Sequence, residues 1–225
     1  MENTITFGQV RLEKIVLINS SSFKYAEIPV FGNTHISGNN STGKTSVTQA
    51  LTVFYTGDTS KDKLGIDASK KPFLDYNLTS PSSYIIYEVR RSDADSDRFL
   101  VVLRKSGGLT FYFFDCPYSP SLFINKDGYA YNSIERVKDA ARETFGHEID
   151  SRSVKGKDKY IDVLYGYKNN RELVGGDRSW TKFSIATCSG LDRPHTKFVK
   201  LVQMMLLLGN MQGDVVKDIY KIQKE

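Results

Sequence analysis

Apolar positions along the chain fall in short runs divided by turn residues. Residues 11–18 (RLEKIVLI) alternate and are rich in β-branched side chains, which predicts a strand. The cluster Asn19-Ser20-Ser21-Ser22 turns the chain, and residues 25–30 predict a second strand. Phe31-Gly32-Asn33 turns it again, and the short run at 34–37 predicts a buried strand. Further on, residues 84–90 (YIIYEVR), 99–104 (FLVVLR) and 109–115 (LTFYFFD) predict three successive strands. Their connections, 92–97 and 106–108, are short and rich in turn residues, as hairpins require. Residues 122–124 and 129–131, around Lys126-Asp127-Gly128, predict one more hairpin.

Helical spacing appears elsewhere. Over residues 46–55, Val47, Ala50, Leu51 and Phe54 share one face, and Gly57 stands where a C-terminal cap is expected. Ser133 caps a predicted helix over 134–145, with Ile134, Val137, Ala141 and Phe145 inward and Gly146 as the stop. The apolar segment 160–167 fits helix or strand. Asp192-Arg193-Pro194 fits a helix start, and the run to Leu208 keeps helical period before Gly209. A last helix over 214–225 carries Val215, Ile219 and Ile222 at helical spacing.

The run at 34–37 leads straight into Gly38-Asn39-Asn40-Ser41-Thr42-Gly43-Lys44-Thr45, which matches G-x-x-x-x-G-K-[ST], the Walker A phosphate-binding loop. Gly38 and Gly43 permit a tight turn whose N–H groups approach phosphate oxygens. A helix starting near Lys44 turns its positive end toward the same anion. Lys44 supplies a cation for the β- and γ-phosphates, and Thr45 a hydroxyl for Mg²⁺. The candidate nucleotide-binding residues are therefore Gly38, Asn39, Asn40, Ser41, Thr42, Gly43, Lys44, Thr45 and Ser46, with ATP and Mg²⁺ as cofactors.

Residues 11–57 resemble the N-terminus of SMC-type ATPase heads, including MukB and its relatives in bacterial plasmid- and phage-defence condensins. Those heads open with two strands, G-x-N-G-x-G-K-[ST] and a helix. Gly38, Asn40, Gly43, Lys44 and Thr45 fall on that pattern, and Ser41 stands where the family usually has Gly. The resemblance implies an α/β fold: a P-loop NTPase half of an ABC-type or SMC head, with an antiparallel β-subdomain and C-terminal helices entering a coiled coil. Residues 1–195 would form the N-terminal lobe and 196–225 the start of the coiled coil. It further implies ATP held between two heads, with hydrolysis coupled to DNA binding or translocation. The implied partners are a C-terminal head segment, a second head, DNA and a kleisin-like subunit. Gln203 is the candidate Mg²⁺- and water-sensing glutamine.

Ser106-Gly107-Gly108 is read as a hairpin connection, and neither a Ser-Gly-Gly-type signature motif nor an apolar strand ending in Asp-Glu is assigned, so no catalytic residue is assigned. ATPase activity is expected only on completion by a segment bearing those motifs. Asp115, at the end of Phe111-Tyr112-Phe113-Phe114, has the look of a Mg²⁺-binding acid. However, Cys116-Pro117 follows where the resembled ATPases carry a catalytic Glu, and the run lies in a hairpin series rather than a parallel sheet. Two alternatives stay open: a self-sufficient small P-loop kinase or GTPase, and a nucleic-acid-binding module with a structural nucleotide.

Composition narrows the class. With 225 residues, 40% hydrophobic and 25% charged, the chain can bury a sizeable core. No apolar run of membrane-spanning length and no secretory leader occurs, so neither membrane nor export is expected. Two cysteines and three scattered histidines give no disulfide framework and no zinc spacing, which fits a reducing cytoplasm. The implied location is cytoplasmic and nucleoid-associated. A net charge of +5 hints at a polyanionic partner. The polar stretch 58–73, with Lys61, Lys63, Lys70 and Lys71, is read as a solvated loop or a basic loop near phosphates or DNA.

Overall fold

A computed structural model describes residues 10–31, 36–37, 43–92, 94, 97–105, 107–165 and 178–185. The alternating and β-rich runs become β1 (Arg11–Ser20), β2 (Phe23–Pro29), β3 (Tyr84–Arg90), β4 (Arg98–Lys105) and β5 (Leu109–Phe114), and the described residues hold a sixth strand, β6 (Ser151–Lys155). They form one sheet in the order β2-β1-β3-β4-β5-β6, and every neighbouring pair is antiparallel.

This overturns the expected α/β P-loop NTPase half. The fold is mainly β, and the reason lies in the connections. Two or a few residues between strands can only fold the chain back on itself, whereas a parallel pair needs a long crossover. Although residues 30–83 separate β2 from β3, β3 pairs with β1 and runs antiparallel to it. The predicted strand at 34–37 does not join the sheet where it is described: Ile36 and Ser37 lie outside any strand, and both are exposed. Thr34 and His35 lie outside the described residues, as do the predicted helices beyond residue 191 and the whole of 196–225.

Among the described residues, five α-helices lie against the sheet: α1 (Lys44–Thr56), α2 (Lys61–Leu64), α3 (Phe73–Asn77), α4 (Ile134–Phe145) and α5 (Lys157–Tyr165). One face of the sheet, through Ile15, Leu17, Ile85, Tyr87, Val101 and Phe113, packs under α1, α2, α3, α5 and a 3-10 helix at Arg178–Phe183. The opposite face, through Val16, Ile18, Ile86, Leu100, Val102 and Phe114, packs under α4 and the segment around Leu122 and Phe123. Burial on both sides explains why β3 and β4 are almost continuously apolar instead of alternating.

Helix α4 spans the predicted residues, with the Ser133 hydroxyl accepting the Arg136 N–H at 3.2 Å and Gly146 closing it at φ 73°. The stretch read as a loop over 58–73 holds α2 and the start of α3, because Leu64 and Phe73 reach the core. Of the ambiguous segment 160–167, residues 160–165 are helical within α5, and 166 and 167 lie outside the described residues. Strand β6 escaped notice because Val154 is its one buried residue, too few for a periodic signal.

Gly57 ends α1 in the left-handed region at φ 63°, and its N–H bonds to the Val53 carbonyl. A Cβ there would sit 2.8 Å from Cδ1 of the fully buried Tyr160 ring, whereas at Gly65, φ 61°, it would meet nothing. Both alanine variants bear the left-handed penalty of roughly 1–2 kcal/mol. Gly57→Ala alone adds an overpacked ring contact, so urea denaturation should show it at least about 1 kcal/mol less stable than Gly65→Ala.

Candidate nucleotide site

Of the nucleotide-binding residues expected from sequence, Gly43, Lys44, Thr45 and Ser46 are described; Gly38, Asn39, Asn40, Ser41 and Thr42 lie outside the described residues, as does Gln203. Gly43 is the N-cap of α1, in the left-handed region at φ 89°. A Cβ at this position would overlap the Phe23 ring, so glycine is required here both for backbone and for space. Lys44 opens the helix half-buried, Thr45 is exposed and Ser46 is buried. The Val47 N–H closes the first helical bond onto the Gly43 carbonyl at 3.1 Å.

The turn between β1 and β2 forms a wall beside this end. Ser21 Oγ lies 3.2 Å from Ser46 Oγ, and Phe23 packs over Gly43. Asn19, at φ 46°, is held by its side-chain amide on the Ser82 carbonyl (3.2 Å) and by the Ser83 hydroxyl donating to the Asn19 carbonyl (2.7 Å). The first turn of α1 carries no acidic side chain that would oppose an anion at the helix's positive end. An exposed threonine hydroxyl beside a lysine, on a glycine-capped helix start, is part of the ligand set that would hold a Mg²⁺–triphosphate. Among the described residues no group of three or more His, Cys, Asp or Glu is placed to hold a metal ion.

Helix α1 crosses the apolar face of the sheet, and its polar groups find partners both within it and outside it. Thr52 and Thr56 return their hydroxyls to the carbonyls of Thr48 (3.0 Å) and Thr52 (2.7 Å). Three tyrosines from elsewhere donate to its carbonyls: Tyr87 to Ala50 (2.8 Å), Tyr160 to Phe54 (2.6 Å) and Tyr165 to Tyr55 (2.8 Å). Burial pushes the Tyr87 and Tyr160 phenols well up, so both stay protonated donors. Neither these tyrosines nor Ser21 and Phe23 carried any motif. Their separation along the chain from α1 left no signal to find.

Asp115 does not belong to this site. It follows antiparallel strand β5, and its two oxygens are taken by Arg91 Nη2 (2.7 Å) and Lys182 Nζ (2.8 Å). Lys182 also reaches Asp150 at 2.8 Å, and Arg91 reaches Asp97 at 2.6 Å. The result is an ionic clamp that fastens the 178–185 segment to the sheet end. Beside it, burial, Asp115 and Glu88 push the Cys116 thiol up to about 12, which leaves it unreactive.

In the basic stretch, Lys63, Lys70 and Lys71 are exposed, while Lys61 donates to the Ala68 carbonyl at 2.7 Å. The Lys105–Asp75 pair, 2.6 Å, brings the end of β4 to the same side. No helix among the described residues is long and apolar enough to cross a membrane.

The clamp makes stability depend on pH. Burial would raise the Asp115 and Asp150 carboxyls, but hydrogen bonds from Lys182, with Arg91 on Asp115 and Arg152 on Asp150, outweigh it and hold both below 3.8. A depressed carboxyl stabilises above its unfolded pKa and loses that contribution as pH falls through its folded value. Stability should therefore fall as pH drops below about 4, and Asp115→Asn should flatten that acid limb while lowering stability at pH 7. Denaturation midpoints of the two proteins between pH 7 and pH 2 check this; parallel acid limbs would refute it.

No curated protein and no solved structure matches the chain. One family model does, over residues 16–189 of the 225, and its description is Protein of unknown function (DUF3584). That span takes in every strand from the middle of β1 to β6, helices α1 to α5 and the ionic clamp. The chain belongs to the DUF3584 family.

Proposed function

We propose that the chain binds ATP with Mg²⁺ through residues 38–46 and serves as the ATP-binding N-terminal half of an SMC/MukB-like head. The observation that carries this reading is the end of the Walker A sequence itself: Gly43, left-handed and pressed by Phe23, delivers Lys44 and Thr45 at the start of a 13-residue helix. A glycine-turned helix start with lysine and threonine at its first positions is an anion site by backbone dipole, cation and hydroxyl together. Family membership supports the reading as well, since DUF3584 is associated with RecF/RecN/SMC-like proteins. The mainly antiparallel body gives the head reading no support, and the reading rests on the local helix start, since binding chemistry resides in a site and not in a fold.

In this reading Lys44 neutralises the β- and γ-phosphates and Thr45 holds Mg²⁺. Asp115 is committed to Arg91 and Lys182, so the group that orients water comes from a C-terminal head segment. ATP then joins two heads, hydrolysis is coupled to movement of bound DNA, and a kleisin-like subunit bridges the assembly. The work this serves is nucleoid-associated and cytoplasmic, with defence against plasmids or phage as the process. The exposed lysines at 63, 70 and 71 support the contact with DNA.

Lys44→Ala is expected to weaken Mg²⁺–ATP binding at least about tenfold, or about 1.4 kcal/mol, by calorimetry. Equal affinities for variant and parent would remove the assignment. DNA binding should be independent of sequence, fall steeply between low and high salt, and shrink on joint replacement of Lys63, Lys70 and Lys71 by Ala. Affinity that ignores salt, or no binding at low salt, would rule the basic surface out.

A further inference from the structure

The carbonyls at the C-terminal end of a helix have no partner within it, and in an apolar core each must find a donor. In α1 the Val53 carbonyl takes the Gly57 N–H, but those of Phe54 and Tyr55 take the Tyr160 and Tyr165 hydroxyls. Both donors sit on α5, more than a hundred residues away in sequence. Tyr160 is fixed by stacking on Phe111 with ring centroids 3.7 Å apart, and the Lys157–Asp58 pair, 2.7 Å, ties the start of α5 to the chain leaving α1.

The far end of α5 is held in turn. Its Leu164 carbonyl accepts the Ile185 N–H (2.7 Å) and the Ser184 hydroxyl (3.1 Å). Those residues adjoin Lys182, which the ionic clamp fastens to Asp115 and Asp150. A hydrogen-bonded series thus runs from the end of the sheet through α5 to the C-terminal turn of α1. The other end of α1, about 20 Å along a stiff helix, is Gly43-Lys44-Thr45.

We infer that Tyr160 and Tyr165 are positioning residues for the phosphate-binding end of α1. By holding the helix at its C-terminal carbonyls, they fix its placement along and about its axis, and hence where Lys44 and Thr45 meet a phosphate. The inference rests on the nucleotide reading for its consequence, and on the hydrogen bonds alone for the placement. Phenylalanine at both positions keeps the rings and removes only the two hydroxyls.

The test compares hydrogen exchange along α1 in the parent, Tyr165→Phe, the Tyr160→Phe/Tyr165→Phe pair and Tyr84→Phe. Tyr84 is equally buried and loses a hydroxyl bond to the Tyr131 carbonyl (2.6 Å) on the opposite face, so it reports general destabilisation. The Val47 amide should exchange at least about fivefold faster in the pair than in Tyr84→Phe, with Tyr165→Phe between. Mg²⁺–ATP affinity, measured well below the unfolding temperature, should fall about threefold or more in the pair and be unchanged in Tyr84→Phe. Acceleration confined to the Gly57 end, or equal in Tyr84→Phe, overturns the inference. So does full affinity in the pair when Lys44→Ala has lost it. If Lys44→Ala binds as the parent does, the nucleotide reading falls by itself, and the exchange pattern still decides whether α5 places α1.

Discussion

The hydrogen-bonding demand of helix α1 inside an apolar core is the constraint on which the rest of the arrangement depends. A peptide carbonyl left unpaired away from water costs on the order of 1–3 kcal/mol, so α1 could not lie across the sheet face with a bare C-terminal turn. Tyrosines answer this because a tyrosine brings apolar ring area and a hydroxyl in one side chain. Tyr160 and Tyr165 reach that turn from α5, while Tyr87 from β3 adds a bond to the Ala50 carbonyl in the helix interior. Each ring extends the core at the same time as its oxygen satisfies the helix.

Placing α1 there has consequences for the sheet. Both faces are covered, so β3 and β4 cannot alternate apolar with polar, and the carboxylate inside β3, Glu88, is buried and paired with Lys14 and Arg98. In the ionic clamp, Asp97, Asp115 and Asp150 face Arg91, Arg152 and Lys182 where the sheet meets the 178–185 segment. Pairs this exposed add little singly, but a network sharing Lys182 and Arg91 fixes a segment that has few core contacts of its own beyond Trp180 and Phe183. Through Ser184 and Ile185 the clamp then bears on α5, and through α5 on α1.

The phosphate-loop sequence and the fold around it were separate matters. The motif needs a glycine turn and a helix start, and both occur at Gly43 and Lys44. The α/β sheet is what the resemblance to SMC-type heads implies, and the antiparallel pairing of every neighbouring pair of strands excludes it. Of the strand expected at 34–37, Ile36 and Ser37 lie exposed outside the sheet. Asp115 shows the opposite error avoided: its hairpin setting was legible beforehand, and the structure puts it among cations.

Local rules in the sequence determined the elements whose signals lie within one turn or one period. The strands β1 to β5, the Ser133 cap and Gly146 stop of α4, the Gly57 cap of α1 and the glycine–lysine–threonine helix start all belong to this class. Each is set by backbone sterics, side-chain period or a cap acting over a few residues. Tertiary structure alone decided the antiparallel order of the sheet, the helicity of the short stretches at Leu64 and Phe73, the strand at β6 and the partners of Asp115. It alone decided, too, that Tyr160 and Tyr165 would end α1. Those outcomes depend on which distant surfaces meet and which buried polar atoms then lack a partner. Neither condition exists until the chain has closed.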